Sequence, residues 1–261
     1  MTDEADTVPE TSEQDAGRLP RPPRWTIEVR YEDEHLVAFD KPSGLLTAPD
    51  RWDKDLDNLM AIVHKRWSPE WFNVHRLDKG TSGLLLCAKN RDTLRRLTAA
   101  FEQRQVRKRY AALVEGAPPK DAGTLTMALA DDPRRPGLMR TARDGQRAET
   151  RYEVVTRWRG YSLLRAWPLT GRTHQIRVHL AAINCPIVGD VHYGGGAGLL
   201  LSRLKRGYKP PREGERPLIG RLALHADRLE LKHPIAGADL AVESPLPHDF
   251  AVGIKYLDKF A

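Results

Sequence analysis

The chain has 261 residues, 40% of them hydrophobic, which suffices for one large domain or two small ones and excludes a wholly disordered polymer. Its apolar runs are too short and too broken for a membrane span of ~20 residues. No basic-then-apolar leader opens the chain, and Cys87 and Cys185 alone give neither a disulfide framework nor a CxxC zinc site. These features describe a soluble, intracellular, cytoplasmic protein. The formal net charge of +7 divides unevenly: residues 1–24 carry six acids against three arginines, and the remainder carries 39 basic against 29 acidic side chains. Such an excess suits a polyanionic partner, because each neutralised phosphate releases condensed counterions; plain solubility is the simpler use of the same charge.

Residues 1–24 combine acids, Ser, Thr and four prolines with few large apolar side chains, and are expected to form a disordered tail ahead of one globular unit over 25–261. His35–Asp40 is a short apolar run ending in the turn Lys41-Pro-Ser-Gly44, and reads as a buried strand followed by a loop. Leu84–Ala88 reads as a second buried strand. Across Arg91–Gln103, Leu94, Leu97 and Phe101 fall at helical spacing with arginines on the other face. Val106–Glu115 has the pattern of a strand with a basic start. Thr150–Trp158 and Tyr161–Pro168 alternate and meet at Arg159-Gly160, the mark of a hairpin. Thr173 is placed to cap a helix running to Asn184, with Ile176, Leu180 and Ile183 on its buried side. Residues 194–217 hold Gly194-Gly-Gly196 and six cations from Arg203 to Arg216; they read as a flexible basic insertion with Lys209-Pro-Pro-Arg212 extended. Leu222–Leu231 returns to strand alternation, and Asp249–Phe260 closes the chain as an amphipathic helix. Many short strands, few helices and no internal repeat indicate an α+β domain on a mixed or antiparallel sheet.

Generic catalytic motifs are missing. There is no GxxxxGK[ST] phosphate loop, and the glycines at 194–198 lack a βαβ context. His174 and His179 stand five apart, the wrong spacing for HExxH, and Ser82 lacks the GxSxG elbow. The informative stretch is His75-Arg-Leu-Asp-Lys-Gly-Thr-Ser-Gly83, a loop between two apolar segments that presents polar side chains at a sheet edge. An isolated loop aspartate usually does no more than bond nearby amides. Here two cations, an acid and two hydroxyls share nine residues. A second cluster, Leu169–His179, sets Arg172 and His174 at a helix start, with Arg177 three residues on at the core margin and able to face a cleft. Its bland reading is a surface salt bridge worth ~0–1 kcal/mol. In the third, Arg107-Lys-Arg-Tyr110, the tyrosine taken alone reads as core or interface.

Taken together, His75-Arg-Leu-Asp78 with Thr81-Ser-Gly83, Asp40-Lys-Pro-Ser-Gly44, Lys108-Arg-Tyr110, Thr170–His179 and Pro186-Ile-Val-Gly-Asp190 resemble the signature of the RluA-type pseudouridine synthases. The segments stand in the family's order and span roughly residues 27–250. The resemblance implies a mixed, mainly antiparallel bipartite sheet with flanking helices and a central basic cleft. Many members also carry an N-terminal S4 RNA-binding domain; residues 1–24 are too short and polar for one, so the chain reads as a catalytic domain alone.

The implied reaction turns uridine in RNA into pseudouridine: the C1′–N1 bond breaks, the base rotates, and C1′ joins C5. Nothing is oxidised and no group is exchanged, so no cofactor or metal is required. Asp78 matches the family's catalytic aspartate, and attack on C1′, attack on the base and removal of the 2′ proton are all open to it. Arg177 matches the arginine that keeps that carboxylate anionic, and Tyr110 the tyrosine that packs against the uracil and helps remove a proton. Arg76 matches the residue that fills the space left by the flipped-out nucleotide. His75, Arg172 and His174 complete the substrate-binding set, the histidines as structural or orienting groups that do not titrate. The expected partner is structured RNA, ribosomal ahead of transfer RNA, with neither DNA nor a membrane, and the chain acts as a monomer. Two rivals remain. A glycoside or nucleoside hydrolase also sets an aspartate at an anomeric carbon, but needs a second carboxylate. A non-catalytic RNA-binding module has no need of Asp78, Tyr110 and Arg177 together.

Overall fold

Apolar periodicity alternates between that of strands and that of helices along the chain, and the elements follow it. The computed structural model describes residues 25–49 and 56–261; the segment 1–24, read as a disordered tail, lies outside them. The first third contains β1 (Glu28–Glu32), β2 (Leu36–Lys41), α1 (Leu59–Arg66), β3 (Phe72–Asn73), β4 (Ser82–Ala88) and α2 (Arg91–Glu102). Next come β5 (Arg107–Glu115), β6 (Ala122–Leu125), β7 (Leu129–Asp131), β8 (Met139–Thr141), and the hairpin of β9 (Thr150–Trp158) with β10 (Tyr161–Pro168). The last third holds α3 (Gln175–Ala182), α4 (Leu201–Leu204), β11 (Leu224–Lys232), β12 (Asp239–Glu243) and α5 (His248–Phe260).

Ten strands form one sheet in the order β1-β2-β4-β11-β5-β10-β9-β6, with β3 on β4 and β12 on β11, while β7 and β8 pair separately. One joint in that sheet is parallel. β4 meets β11 only at Ser82↔His225 and Gly83↔Ala226, whereas the other ladders run antiparallel. The fold is therefore a mixed, mainly antiparallel sheet in two halves, as the resemblance implies. Gly83 makes the seam possible: its φ is +110°, and a Cβ there would stand 2.2 Å from the Ala226 carbonyl oxygen. The catalytic-type loop 74–81 enters the sheet at this seam.

β2 and β4 are buried on both faces, which explains their continuous apolar runs. Val37, Phe39, Leu85 and Cys87 face one core; Leu36, Ala38, Leu84 and Leu86 face a second, under Leu97 of α2 and Leu229 of β11. The periodicity of α2 is sharpened by its cap, where the Asn90 side chain accepts the Thr93 N–H.

Two expectations need correction. Thr173 does not cap α3. The N-cap is His174, in a left-handed conformation at φ 54° with no side-chain cap bond, and the Gln175 amide oxygen instead accepts from the Arg172 N–H and Thr170 hydroxyl. The segment 194–217 is also more than a flexible basic excursion. Leu199 pairs with Ile219 at its base, α4 occupies its middle, and Leu199 and Leu204 are buried in the main core. Lys209-Pro-Pro-Arg212 has no regular structure. Among the described residues no helix is long and apolar enough to cross a membrane.

Candidate active site

Asp78 sits where the loop before β4 is held from below. Thr81 N–H closes a turn onto the Asp78 carbonyl at 3.1 Å. The Asp40–Gly44 turn, which follows β2, then grips the next two peptides: Gly44 N–H and Lys41 Nζ donate to the Lys79 carbonyl, and Ser43 Oγ donates to that of Gly80. Thr47 Oγ1 takes the Leu77 N–H and donates to the Leu77 carbonyl. Lys41 is fully buried, and its three protons meet three carbonyls, of Leu45 at 2.7 Å, Pro42 at 3.0 Å and Lys79 at 3.3 Å. Burial pushes its pKa down to about 7, against the opposing charge of Asp78. The motif beginning at Asp40 is thus a latch on the aspartate loop.

The carboxylate itself faces a small pocket of about 130 Å³ lined by Arg76, Asp78, Tyr110, Arg172, His174 and Arg177 among others. α3 supplies Arg177, whose burial is greater than its place at the core margin suggests. Its Nη1 lies 3.4 Å from Asp78 Oδ2, so the expected pair forms although 99 residues separate the partners in sequence. The tighter partner is Asp190: Arg177 Nε and Nη2 donate to its two oxygens at 2.8 and 2.9 Å in a forked pair. The Tyr193 ring packs against the guanidinium with its centroid 4.9 Å away. Burial lowers the Arg177 pKa, but the bonds and charge of Asp190, with the charge of Asp78, outweigh it, and the net direction is up. The guanidinium is therefore a fixed cation.

Tyr110 is buried beside the carboxylate, and burial together with the Asp78 charge pushes its phenol up. The ring therefore lines the pocket as a protonated phenol beside Asp78. His174 contacts the Tyr193 hydroxyl through Nδ1 at 2.9 Å, and its Nε2 stands 3.9 Å from Asp78 Oδ2. Burial lowers its pKa and outweighs the Asp78 charge, leaving a neutral ring at pH 7. Arg76 is exposed at the pocket mouth, and among the described residues it has no carboxylate partner. Arg172 is also exposed there and donates to the Arg147 carbonyl at 3.3 Å.

His75 departs from its expected place in the substrate-binding set. Its Nε2 accepts the Leu86 N–H at 3.0 Å, and its ring stacks on Phe101 at 4.9 Å. Burial, aided by the Lys108 charge, lowers its pKa to about 3. It ties the loop to β4 and α2 and does not line the pocket. The residues that sequence reasoning missed are Asp190, Tyr193, Lys41 and Thr47. Asp190 ends one of the signature segments, and that place was its signal; nothing local tied it to Arg177, 13 residues away.

Asp78 is the one carboxylate among the described lining residues, since Asp190 is buried behind Arg177. That arrangement does not supply the acid and base pair of a hydrolase. Among the described residues no cluster of three or more His, Cys, Asp or Glu is arranged to hold a metal ion.

Comparison with known proteins points to one family. The family described as RNA pseudouridylate synthase matches residues 35–182. The Ribosomal large subunit pseudouridine synthase D of Xanthomonas campestris is 37% identical over 230 residues, covering 85% of this chain and 67% of that protein. The Dual-specificity RNA pseudouridine synthase RluA of Escherichia coli K12 is 34% identical over 224 residues, covering 85% and 93%. Among solved structures, Human RNA Pseudouridylate Synthase Domain Containing 4 superposes with a TM-score of 0.66 at 26% identity, covering 88% of this chain and 92% of that one. With the signature segments gathered around one pocket and relatives spanning most of its length, the chain belongs to the RluA-type family of RNA pseudouridine synthases.

Proposed function

We propose that this chain isomerises uridine in structured RNA to pseudouridine, with Asp78 as the catalytic carboxylate. The observation that carries the reading is the meeting of Asp78 and Arg177, 99 residues apart in sequence, in a pocket whose described lining has no other carboxylate. The reaction breaks C1′–N1 and makes C1′–C5 within one nucleotide, so one anionic group held against a fixed cation meets its needs. Asp78 acts at C1′, at the base or on the 2′ proton. Tyr110 packs against the uracil, and Arg177 holds the carboxylate in place. A uridine inside folded RNA must first leave its stack, at a cost of a few kcal/mol. Arg76, planar and without a carboxylate partner among the described residues, fills the vacated space, while Arg172 and His174 border the flipped nucleotide.

Ribosomal RNA is the favoured substrate, ahead of transfer RNA. The relatives named above include one designated for the large ribosomal subunit and one of dual specificity. The chain works as a monomer in the cytoplasm. Selective chemical labelling of pseudouridines in RNA from a strain lacking the gene, and in that RNA after treatment with the purified chain, tests the reading. One or more uridines should regain the modification with wild type and none with Asp78→Asn, whose RNA affinity should stay within a few fold. Wild-type-like turnover by Asp78→Asn would remove the assignment.

A further inference from the structure

A groove of about 720 Å³ opens beside the Asp78 pocket and shares Pro168, Thr170, Gly171 and Arg172 with it. Its size falls within the roughly 300–1,000 Å³ of ligand sites. Five cations line it: Arg104, Arg107, Lys108, Arg151 and Arg172. Among the described residues none of them has a carboxylate within ion-pair distance. Two of the three acids on its walls are spoken for, Glu149 by Arg147 at 3.6 Å and Glu230 by Arg228 at 2.7 Å. Five unpaired cations around one trough repel one another, and folding alone gives no reason to gather them. Lys108 is the clearest case, because burial pushes its ammonium down and no anion compensates.

The same walls carry apolar faces. The Arg151 guanidinium lies over the Trp167 ring at 5.4 Å, Lys108 Nζ stands 5.9 Å from the Phe101 ring, and Leu169 is 44% exposed. Trp167 and Leu169 lead directly, through Thr170-Gly171, to Arg172 at the mouth of the Asp78 pocket. Cations lining a groove beside an aromatic ring are the means by which proteins hold single-stranded nucleic acid. A strand leaving the pocket past Arg172 runs into this groove.

We propose that the groove binds a nucleotide flanking the target uridine on the same RNA strand, its phosphate on Arg107 and Arg151 and its base against Trp167 and Leu169. The proposal rests on the pseudouridine synthase reading and adds to it a second contact that registers the strand. Its charge excess selects a polyanion, and its continuity with the pocket selects the substrate strand itself over a separate ligand.

The test uses the full chain and a stem-loop carrying the uridine identified by mapping. Two variants are compared with wild type, Trp167→Ala and the double change Arg107→Gln with Arg151→Gln; none of these residues touches Asp78. Each should raise KM about tenfold and leave kcat within about twofold. The arginine pair should also flatten the dependence of log affinity on log salt by about 0.7 for each cation removed. An abasic nucleotide next to the target should weaken wild type but not Trp167→Ala, and Trp167→Phe should restore binding. Thermal melts of the variants separate lost contacts from lost folding. Unchanged KM, salt slope and abasic sensitivity, with wild type active, overturn the groove; a wild-type chain that forms no pseudouridine overturns the reading beneath it.

Discussion

Arg177 gives its forked pair of N–H groups to Asp190, at 2.8 and 2.9 Å, and leaves its remaining nitrogen 3.4 Å from Asp78. The buried aspartate is therefore the anchor and the pocket aspartate the beneficiary. A guanidinium tethered at one end cannot close fully on Asp78, so the carboxylate is held in place yet stays open to a substrate. The same tether relieves Arg177 of a burial cost it could not meet alone.

Asp190→Ala should therefore act on both folding and rate. Both side chains are less than a tenth exposed, and removing one member of such a pair costs about 3–5 kcal/mol. Urea unfolding should report that loss, and single-turnover assays on the surviving folded protein should show kcat reduced more than tenfold as the guanidinium swings onto Asp78. Wild-type stability with wild-type rate would show that the fork anchors nothing.

His75→Phe separates a positioning role from a binding one. The substitution keeps the ring against Phe101 but strands the Leu86 N–H, a loss of about 1–3 kcal/mol. It also changes the acid limb. With a folded pKa of about 3 against an ordinary 6.5, the folded chain binds fewer protons than the unfolded chain between those values, so wild-type stability climbs with pH there. The variant should show a flatter climb and a KM for RNA within about twofold of wild type. A raised KM at unchanged stability would return His75 to the substrate contacts.

Lys41 governs a second pH window. Its folded pKa of about 7 lies below the ordinary 10.5, so from pH 7 upward the unfolded chain holds the extra proton and stability rises as pH rises. Below pH 7 the burial cost is present in full. Lys41→Met should flatten that rise between pH 7 and pH 9.5, measured by chemical denaturation at each pH. Because the lysine latches the peptide after Asp78, kcat should fall in the variant as well. Parallel stability profiles for the two proteins would contradict the depressed pKa.

Gly83→Ala probes the seam. The left-handed φ of +110° is strained for alanine, and the added Cβ meets the Ala226 carbonyl oxygen at 2.2 Å. The two halves of the sheet must part slightly, at a cost of at least about 2 kcal/mol. The melting temperature should drop, and kcat should drop with it, since Asp78, on the loop leading into β4, and Tyr110, on β5, reach the pocket from opposite sides of this joint. An alanine variant with native melting and rate would show that the seam tolerates separation.

Local pattern by itself determined much of this protein. Strict alternation marks β9 and β10, helical spacing marks α2, and uninterrupted apolar runs mark β2 and β4, because burial on one face or two leaves a periodic trace in the chain itself. The signature segments likewise named Asp78 and Arg177 before any geometry. The strands β6 to β8 left no such trace, since Leu129 is the one fully buried apolar side chain they share. What only the tertiary structure decided are relationships whose partners are remote: Lys41 on the Lys79 carbonyl, 38 residues away; Arg177 on Asp190, 13 away; and His75 turned inward to Leu86. Such contacts depend on which side chain meets which carbonyl or carboxylate once the sheet has closed. Hydrogen bonds between distant residues impose no period on the sequence, so the packed fold alone reveals them.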